Sequence, residues 1–265
     1  MTTTTTTTMP TSKLTQNDSA ILSALFDPES SPSSNNTITI SDPSSLPLLP
    51  NISPALLPTL RAREALAIRP LNTPYPTPSA IETAIHELSS LISAHPVYAP
   101  AYLNRAQATR LRLALVSPSE FYTTATLPST TQLFSDLNTA ITLTTPSTPT
   151  APISPLQADL LANAHTHRGY LLLKAASTTL DPQSQVRPQH LALPPTLTRL
   201  SSTALEELAS RDFALGGRYG NKIARQLSVQ TNPYAKACGA IVKEALRKER
   251  EEFAGSVDVG MEMGT

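Results

Sequence analysis

The side chains best suited to chemistry are two histidines, His165 and His167, one cysteine, Cys238, and a polar group of Asn104, Arg105 and Arg110. On a helix, residues two apart point to different sides, so His165 and His167 do not form a metal pair; packing and surface polarity account for both. Cys238 is the single cysteine, which rules out an internal disulfide framework and a two-thiol redox motif. It reads as a small buried apolar residue rather than a reactive thiol. Asp212-Phe213 is no catalytic pair: Phe213 reads as a core anchor and Asp212 as a bridging partner for Arg168 or for the neighbours of Arg211. Ser and Thr abound, yet no Gly-x-Ser-x-Gly elbow, phosphate loop, zincin motif or calcium loop is present, and the linker hydroxyls read at most as phosphorylation sites. The expectation is a protein that is not an enzyme, with no cofactor and no metal.

Composition narrows the class further. The chain has 265 residues, 40% hydrophobic and 15% charged, with 25 Pro against 8 Gly, the balance of helices interrupted by stiff loops. Lys+Arg and Asp+Glu number 20 each, so net charge is +0 and no electrostatic case exists for nucleic acid or an anionic membrane. The amino-terminal MTTTTTTTMP lacks the apolar core of a signal peptide, and no apolar run reaches the roughly 18 to 20 residues of a membrane span. With one cysteine, a reducing compartment is the default, and a cytoplasmic protein, also nuclear in one version, is expected.

The elements that must position these residues are helices. Residues 1–52 are expected to be disordered, Thr-rich at first, with one short helix near 18–26 whose Ile21, Leu22, Leu25 and Phe26 need a surface to dock on. Ser53-Pro54 or Pro58 starts a helix that ends at Pro70. Ser79 with Glu82 makes a capping box for the next, apolar at Ile81, Ile85, Leu88, Leu91 and Ile92 and stopped by Pro96. Residues 99–115 carry small residues at Ala101, Ala106 and Ala108 among Tyr102, Leu103, Arg105 and Arg110, a helix suited to close packing. A helix over 131–143 follows, with Leu133, Phe134, Leu137 and Ile141 on one face. Ser154-Pro155 caps a long helix, Thr203 with Glu206 opens another, and Gly216-Gly217 is expected to turn the chain. Asn221 and Asn232-Pro233 cap the last two helices, the final one burying Tyr234, Cys238, Ile241, Val242 and Ala245.

Three successive hairpins invite a test for periodicity. The tetratricopeptide pattern, large-x2-L-small-x2-Y on one helix and A-x3-F then Pro on the next, needs the small residue to let two helices approach. Arg61-x2-Glu64-Ala65-x2-Ile68, Tyr102-x2-Arg105-Ala106-x2-Thr109 and His165-x2-Arg168-Gly169-x2-Leu172 fit the first half. Ala84-x3-Leu88, Leu133-x3-Leu137 and Ala209-x3-Phe213 fit the second. The small residues are about 41 and about 63 positions apart, against roughly 34 in the pattern, the excess lying in proline-rich loops expected on the surface.

The chain resembles the tetratricopeptide repeat protein 36 family through Asn17-Asp18 to Ala24-Leu25-Phe26-Asp27-Pro28, Ala101-Tyr102 with Asn104-Arg105-Ala106-Gln107-Ala108, Arg211-Asp212-Phe213, Ala224-Arg225-Gln226-Leu227 and Asn232-Pro233-Tyr234-Ala235 with Cys238. It departs from that family in its long insertions and in Thr109, where an arginine is usual. The resemblance implies three repeats, a capping helix and a non-catalytic scaffold linked to heat-shock protein 70 chaperones and, for some members, to tyrosine metabolism. Asn104 stands where a carboxylate-clamp asparagine belongs, whereas Ala62, Leu66, Asn163 and His167 occupy the clamp's other positions.

The resulting expectation is an all-α tetratricopeptide solenoid over 53–253, with repeats at about 55–96, 99–145 and 155–216, capping helices over 221–253 and a disordered tail at 254–265. Asn104, Arg105, Ala108, Arg110 and His167 are assigned to a protein-binding groove, and Tyr102, Ala106, Ala84, Leu88, Leu137, Gly169, Phe213 and Tyr234 to packing between repeats. Arg105 keeps a second reading, its stem packed between helices and its head paired with Asp136. The expected partner is a protein or peptide, heat-shock protein 70 by resemblance, with the chain itself a monomer. The alternatives are a docking subunit held through its amino-terminal helix, and an enzyme using His165, His167 or Cys238.

Overall fold

The computed structural model describes residues 40, 46–116, 121–148, 151–179 and 191–259. The short helix expected at 18–26 lies outside these residues. Among the described residues the chain is all-α: α1 (Leu57–Ile68), a 3-10 turn (Arg69–Leu71), α2 (Pro78–Ala94), α3 (Ala99–Val116), α4 (Leu127–Thr144), α5 (Pro155–Thr179), α6 (Ser202–Arg218), α7 (Lys222–Thr231) and α8 (Pro233–Val259). No strand is present among them, only isolated bridges joining Ile40 to Ile153 and Thr123 to Leu191. No helix among them is long and apolar enough to cross a membrane.

Prolines and hydroxyl caps set the helix starts, at positions that partly differ from expectation. The cap of α2 is Thr77, whose Oγ1 accepts from the Ala80 backbone N–H at 3.2 Å, rather than Ser79. Pro78 explains the shift: its fixed φ suits the first helical position, which leaves Thr77 extended at ψ 151°. In α6 the cap is Ser201, accepting from Ala204 N at 3.1 Å, and not Thr203. Ser154 and Asn221 cap α5 and α7 as expected, accepting from Gln157 N and Ala224 N at 3.0 Å each. The chain turns at Gly220, φ +110°, rather than at Gly216-Gly217, which are buried within α6. A Cβ on Gly217 would lie 2.9 Å from the Arg225 Cα, so glycine there lets α6 and α7 touch backbone to backbone.

Each helix packs on its chain neighbour, and α3 also touches α5, so α1–α2, α3–α4 and α5–α6 form hairpins stacked in sequence. A single apolar core threads them, from Leu60 and Leu88 through Ala106 and Leu137 to Ala164, Leu205 and Phe213. In α1 the buried stripe is Leu57, Leu60 and Ala67, while Ala65 is exposed, so the small residue read from the repeat pattern is not the contact point of the first hairpin.

The domain also begins earlier than residue 53: Leu49 and Ile52 are buried in the core, and Ser154 Oγ donates to the Leu48 carbonyl at 2.6 Å. The proline-rich insertions are not wholly superficial either. Phe121, Tyr122, Leu193 and Leu197 are buried, and the Tyr122 hydroxyl donates to the Leu171 carbonyl of α5 at 2.7 Å. Burying such side chains is worth about 1.5–3 kcal/mol each, so these loops act as a second layer over α5.

Expectation fails most clearly at α8. Cys238, Ile241, Val242 and Ala245 are all exposed, not buried, and the helix continues to Val259, past the boundary expected near 253. The side chain of Tyr234 lies outside the described ones. Apolar spacing draws a stripe on a helix, but burial needs a neighbour, and from Cys238 to Glu251 every side chain of α8 is exposed.

Candidate functional site

Two hairpins share one device. In α3–α4, Arg105 donates from Nε to Asp136 Oδ2 at 2.8 Å and from Nη2 to Oδ1 at 2.6 Å. In α5–α6, Arg168 donates to Asp212 through Nε and Nη2, at 2.7 Å each. Each arginine directly precedes a small buried residue, Ala106 or Gly169, and each aspartate directly precedes a large one, Leu137 or Phe213. A Cβ on Gly169 would lie 3.0 Å from two ring atoms of Phe213, so the close approach is between these two residues. The planar fork of arginine matches a carboxylate in two-bond geometry and sets the register of the pair. His165 adds a third bond to Asp212, 2.9 Å from Nδ1 to Oδ1, and stacks on Tyr219. Burial opposes the charge on Asp212, yet the bonds from Arg168 and His165 outweigh it and hold its pKa below the usual value.

The first hairpin lacks this pair. Glu64 of α1 instead accepts from the Tyr98 hydroxyl and from Asn104 Nδ2, linking the first hairpin to the second. Burial raises the Glu64 pKa against the pull of those two bonds and of Arg61. Glu64 and Asn104 line a small cavity of about 180 Å³ together with Asp159 and Asn163.

A larger cavity, about 510 Å³, lies between α3 and α5. Gln107, Arg110 and Ala114 line it from α3, Phe121 from the following loop, and Asn163, Thr166, His167, Tyr170, Leu171 and Lys174 from α5. No carboxylate is among these residues. Both ring nitrogens of His167 are shielded from solvent without a hydrogen-bond partner among the described residues. Burial, reinforced by the nearby charge of Arg110, lowers the His167 pKa to about 3, so the imidazole is neutral at pH 7. Lys174 Nζ stands 5.0 Å from the centre of the Phe121 ring. Asn163 borders both cavities, which makes one polar furrow across α1, α3 and α5.

The residues assigned to a groove thus divide. Arg110 and His167 line the larger cavity and Asn104 the smaller. Ala108 is fully buried and faces no groove. Arg105 is taken up by Asp136 and Ser89 between the helices, the second of its two readings. Tyr102 is half-buried, its hydroxyl donating to the Pro96 carbonyl at 3.0 Å, while Ala84, Leu88, Ala106 and Leu137 are fully buried. His165 and His167 part as expected, one toward Asp212 and one into the cavity. Among the described residues no group of three or more His, Cys, Asp or Glu is placed to hold a metal ion. Residues not singled out for the groove were Gln107, Phe121, Thr166, Tyr170 and Lys174. Helical spacing held a signal for two of them: Tyr170 and Lys174 stand at i+3 and i+7 from His167, on the helix face that also carries Asn163 at i−4 and Leu171 at i+4.

No family model matches the chain, and no solved structure matches it. The L-tyrosine degradation gene cluster protein hmgX of Aspergillus fumigatus is 50% identical to it over 246 residues, which cover 90% of this chain and 94% of that protein. Identity at that level over nearly the full length of both sequences places the chain in the family of the hmgX protein.

Proposed function

We propose that this protein is a non-catalytic adaptor of the tetratricopeptide type that serves tyrosine degradation by holding another protein, with a heat-shock protein 70 chaperone as the first candidate. The observation that carries the reading is the duplicated hairpin device, Arg105-Ala106 against Asp136-Leu137 and Arg168-Gly169 against Asp212-Phe213. Stacked hairpins with a repeated register build a continuous surface from their first helices, the surface such repeats use for binding. The furrow across α1, α3 and α5 lies there, and its exposed amides and cations suit a peptide or protein. The relative's name supplies the metabolic context. The cytoplasm, with or without the nucleus, is the proposed location, and the working form is a monomer.

Titration of the full-length chain with a purified heat-shock protein 70 tests this. Saturable binding, weakened by Asn163→Ala and Gln107→Ala on the furrow and unchanged by Lys243→Ala on α8, supports the adaptor reading in its chaperone form. Absence of binding, or binding indifferent to both furrow substitutions, refutes that form.

A further inference from the structure

We infer that the groove between α4 and α6 is the docking site of this chain's own amino-terminal segment, residues 18–29, seated as a two-turn helix with Ile21, Leu22, Leu25 and Phe26 as its apolar anchors. The groove is a cavity of about 370 Å³. Its apolar walls are Phe134 of α4, Leu172 of α5, Leu197 and Leu200 of the loop before α6, and Leu208 and Leu215 of α6. Leu200 and Leu215 are half-buried and Leu208 is 37% exposed, so these walls still face solvent. The polar groups in the floor are already engaged with one another. Arg168 donates two bonds to Asp212 and one, from Nη1, to Asn138 Oδ1 at 2.7 Å. With those groups satisfied, the groove favours apolar side chains over a polar ligand.

Composition, reach and charge identify the occupant. Among the residues outside the described ones, Ile21 to Phe26 is where four large apolar side chains fall within six residues. Their spacing puts all four on one side of a helix, the pattern read by an apolar groove. A helix that short is marginal in water by itself and needs such a surface. The stretch 180–190, nearer to α6 in sequence, has only Leu180 and Val186 to offer. Ile40 is bridged to Ile153 at the start of α5, and Leu172 lies roughly 25 Å further along that helix. The thirteen residues between Phe26 and Ile40 span up to roughly 45 Å when extended, enough to round the helix layer and reach the groove. Asp18, Asp27 and Glu29 flank the anchors, and no Lys or Arg occurs from Leu14 to Leu60. Arg211 lines the groove, is exposed, and has no hydrogen bond or ion pair among the described residues. An acid of the segment pairs with it; at an exposed position such a pair sets orientation more than affinity, which the apolar anchors supply. The furrow lies across the first helices of the hairpins and this groove on the second, so the docking is independent of the adaptor reading and survives its failure.

Hydrogen exchange of the full-length chain tests the docking. The backbone amides of residues 20–26 are expected to exchange at least about tenfold more slowly than in an unfolded chain. Leu208→Glu on the groove wall should return them to the unfolded rate with the thermal melt unchanged, while Leu66→Glu, exposed on α1, should leave them protected. Photocross-linking from a benzoylphenylalanine placed at position 26 leaves the groove unaltered, and so decides the matter even where Leu208→Glu fails to fold. Attachment to residues 193–215 of the same chain is expected. Exchange at the unfolded rate in the parent, protection indifferent to Leu208→Glu in a folded variant, or cross-linking to another face or to a second copy of the chain overturns the inference.

Discussion

Gly169 and Gly239 both sit inside helices, and the same substitution at each should change stability in opposite directions. Replacing a helical glycine by alanine gains about 1 kcal/mol of backbone propensity when nothing else changes. At Gly239 on α8 nothing lies within 4 Å of the added Cβ, so Gly239→Ala should gain up to that amount wherever α8 unfolds with the rest. At Gly169 the Cβ would meet Phe213 Cδ1 and Cε1 at 3.0 Å and the Ala209 carbonyl oxygen at 3.2 Å. Carbon pairs settle at about 3.5–4.0 Å, so the ring must retreat by at least half an ångström within a packed core, and the backbone oxygen cannot. Overpacking of this kind costs about 1–3 kcal/mol, which exceeds the propensity gain and leaves a net loss of about 1 kcal/mol. In a domain of this size that lowers Tm by about 2–4 °C.

Urea unfolding followed by circular dichroism at 222 nm reads both variants, and Phe213→Leu completes a double-mutant cycle. Gly169→Ala should cost less in the Phe213→Leu background, a coupling of about 1 kcal/mol, because the shorter side chain makes room. A Gly169→Ala protein as stable as the parent, or strict additivity with Phe213→Leu, refutes the close approach of α5 and α6 at this point.

Two further outcomes follow from the same structure. Asp212→Asn should destabilise by about 3 kcal/mol at pH 7, at the low end for breaking a buried pair because Arg168 is partly solvated. The folded-state pKa of Asp212 is depressed, so its contribution is complete above the unfolded carboxyl pKa near 4 and is lost as pH falls through the folded value. The stability gap between parent and variant should therefore be flat from about pH 5 to 8 and close in acid, as denaturant midpoints at several pH values will show. Cys238 is exposed on α8 and should react with a thiol reagent in the native state at a rate close to that in urea; protection until unfolding would show that α8 has a cover.

What was legible in the sequence was local. Proline and capping side chains announced most of the described helices, if not always at the right residue, while α4 was legible from apolar spacing alone, which also found the buried face of α2, because both signals arise within one turn or two. What depends on a distant neighbour was not legible. Ile241 and Val242 have the spacing of a buried face, yet no element among the described residues covers them. Ala108, two residues from exposed Arg110, is sealed by packing. The orphaned nitrogens of His167 follow from α3 closing on α5, which no one-dimensional pattern encodes.

Between these extremes stands the Arg–Asp device, which the sequence contains but disguises. Arg105-Ala106 with Asp136-Leu137 and Arg168-Gly169 with Asp212-Phe213 are the same two dipeptides in chemical terms, but their arginines and aspartates are 31 and 44 residues apart. A loop can lengthen by a dozen residues at a cost of a few tenths of a kcal/mol, so the period drifts while the register holds. The first hairpin shows what happens where the device is absent. Glu64-Ala65 and Glu87-Leu88 would set two acids where the other hairpins set an ion pair, and like charges held so close would repel. Ala65 accordingly stays exposed, Glu87 points to solvent, and Glu64 turns to Tyr98 and Asn104 on the next hairpin. The polar residue that resemblance assigns to a clamp is therefore spent on joining two hairpins.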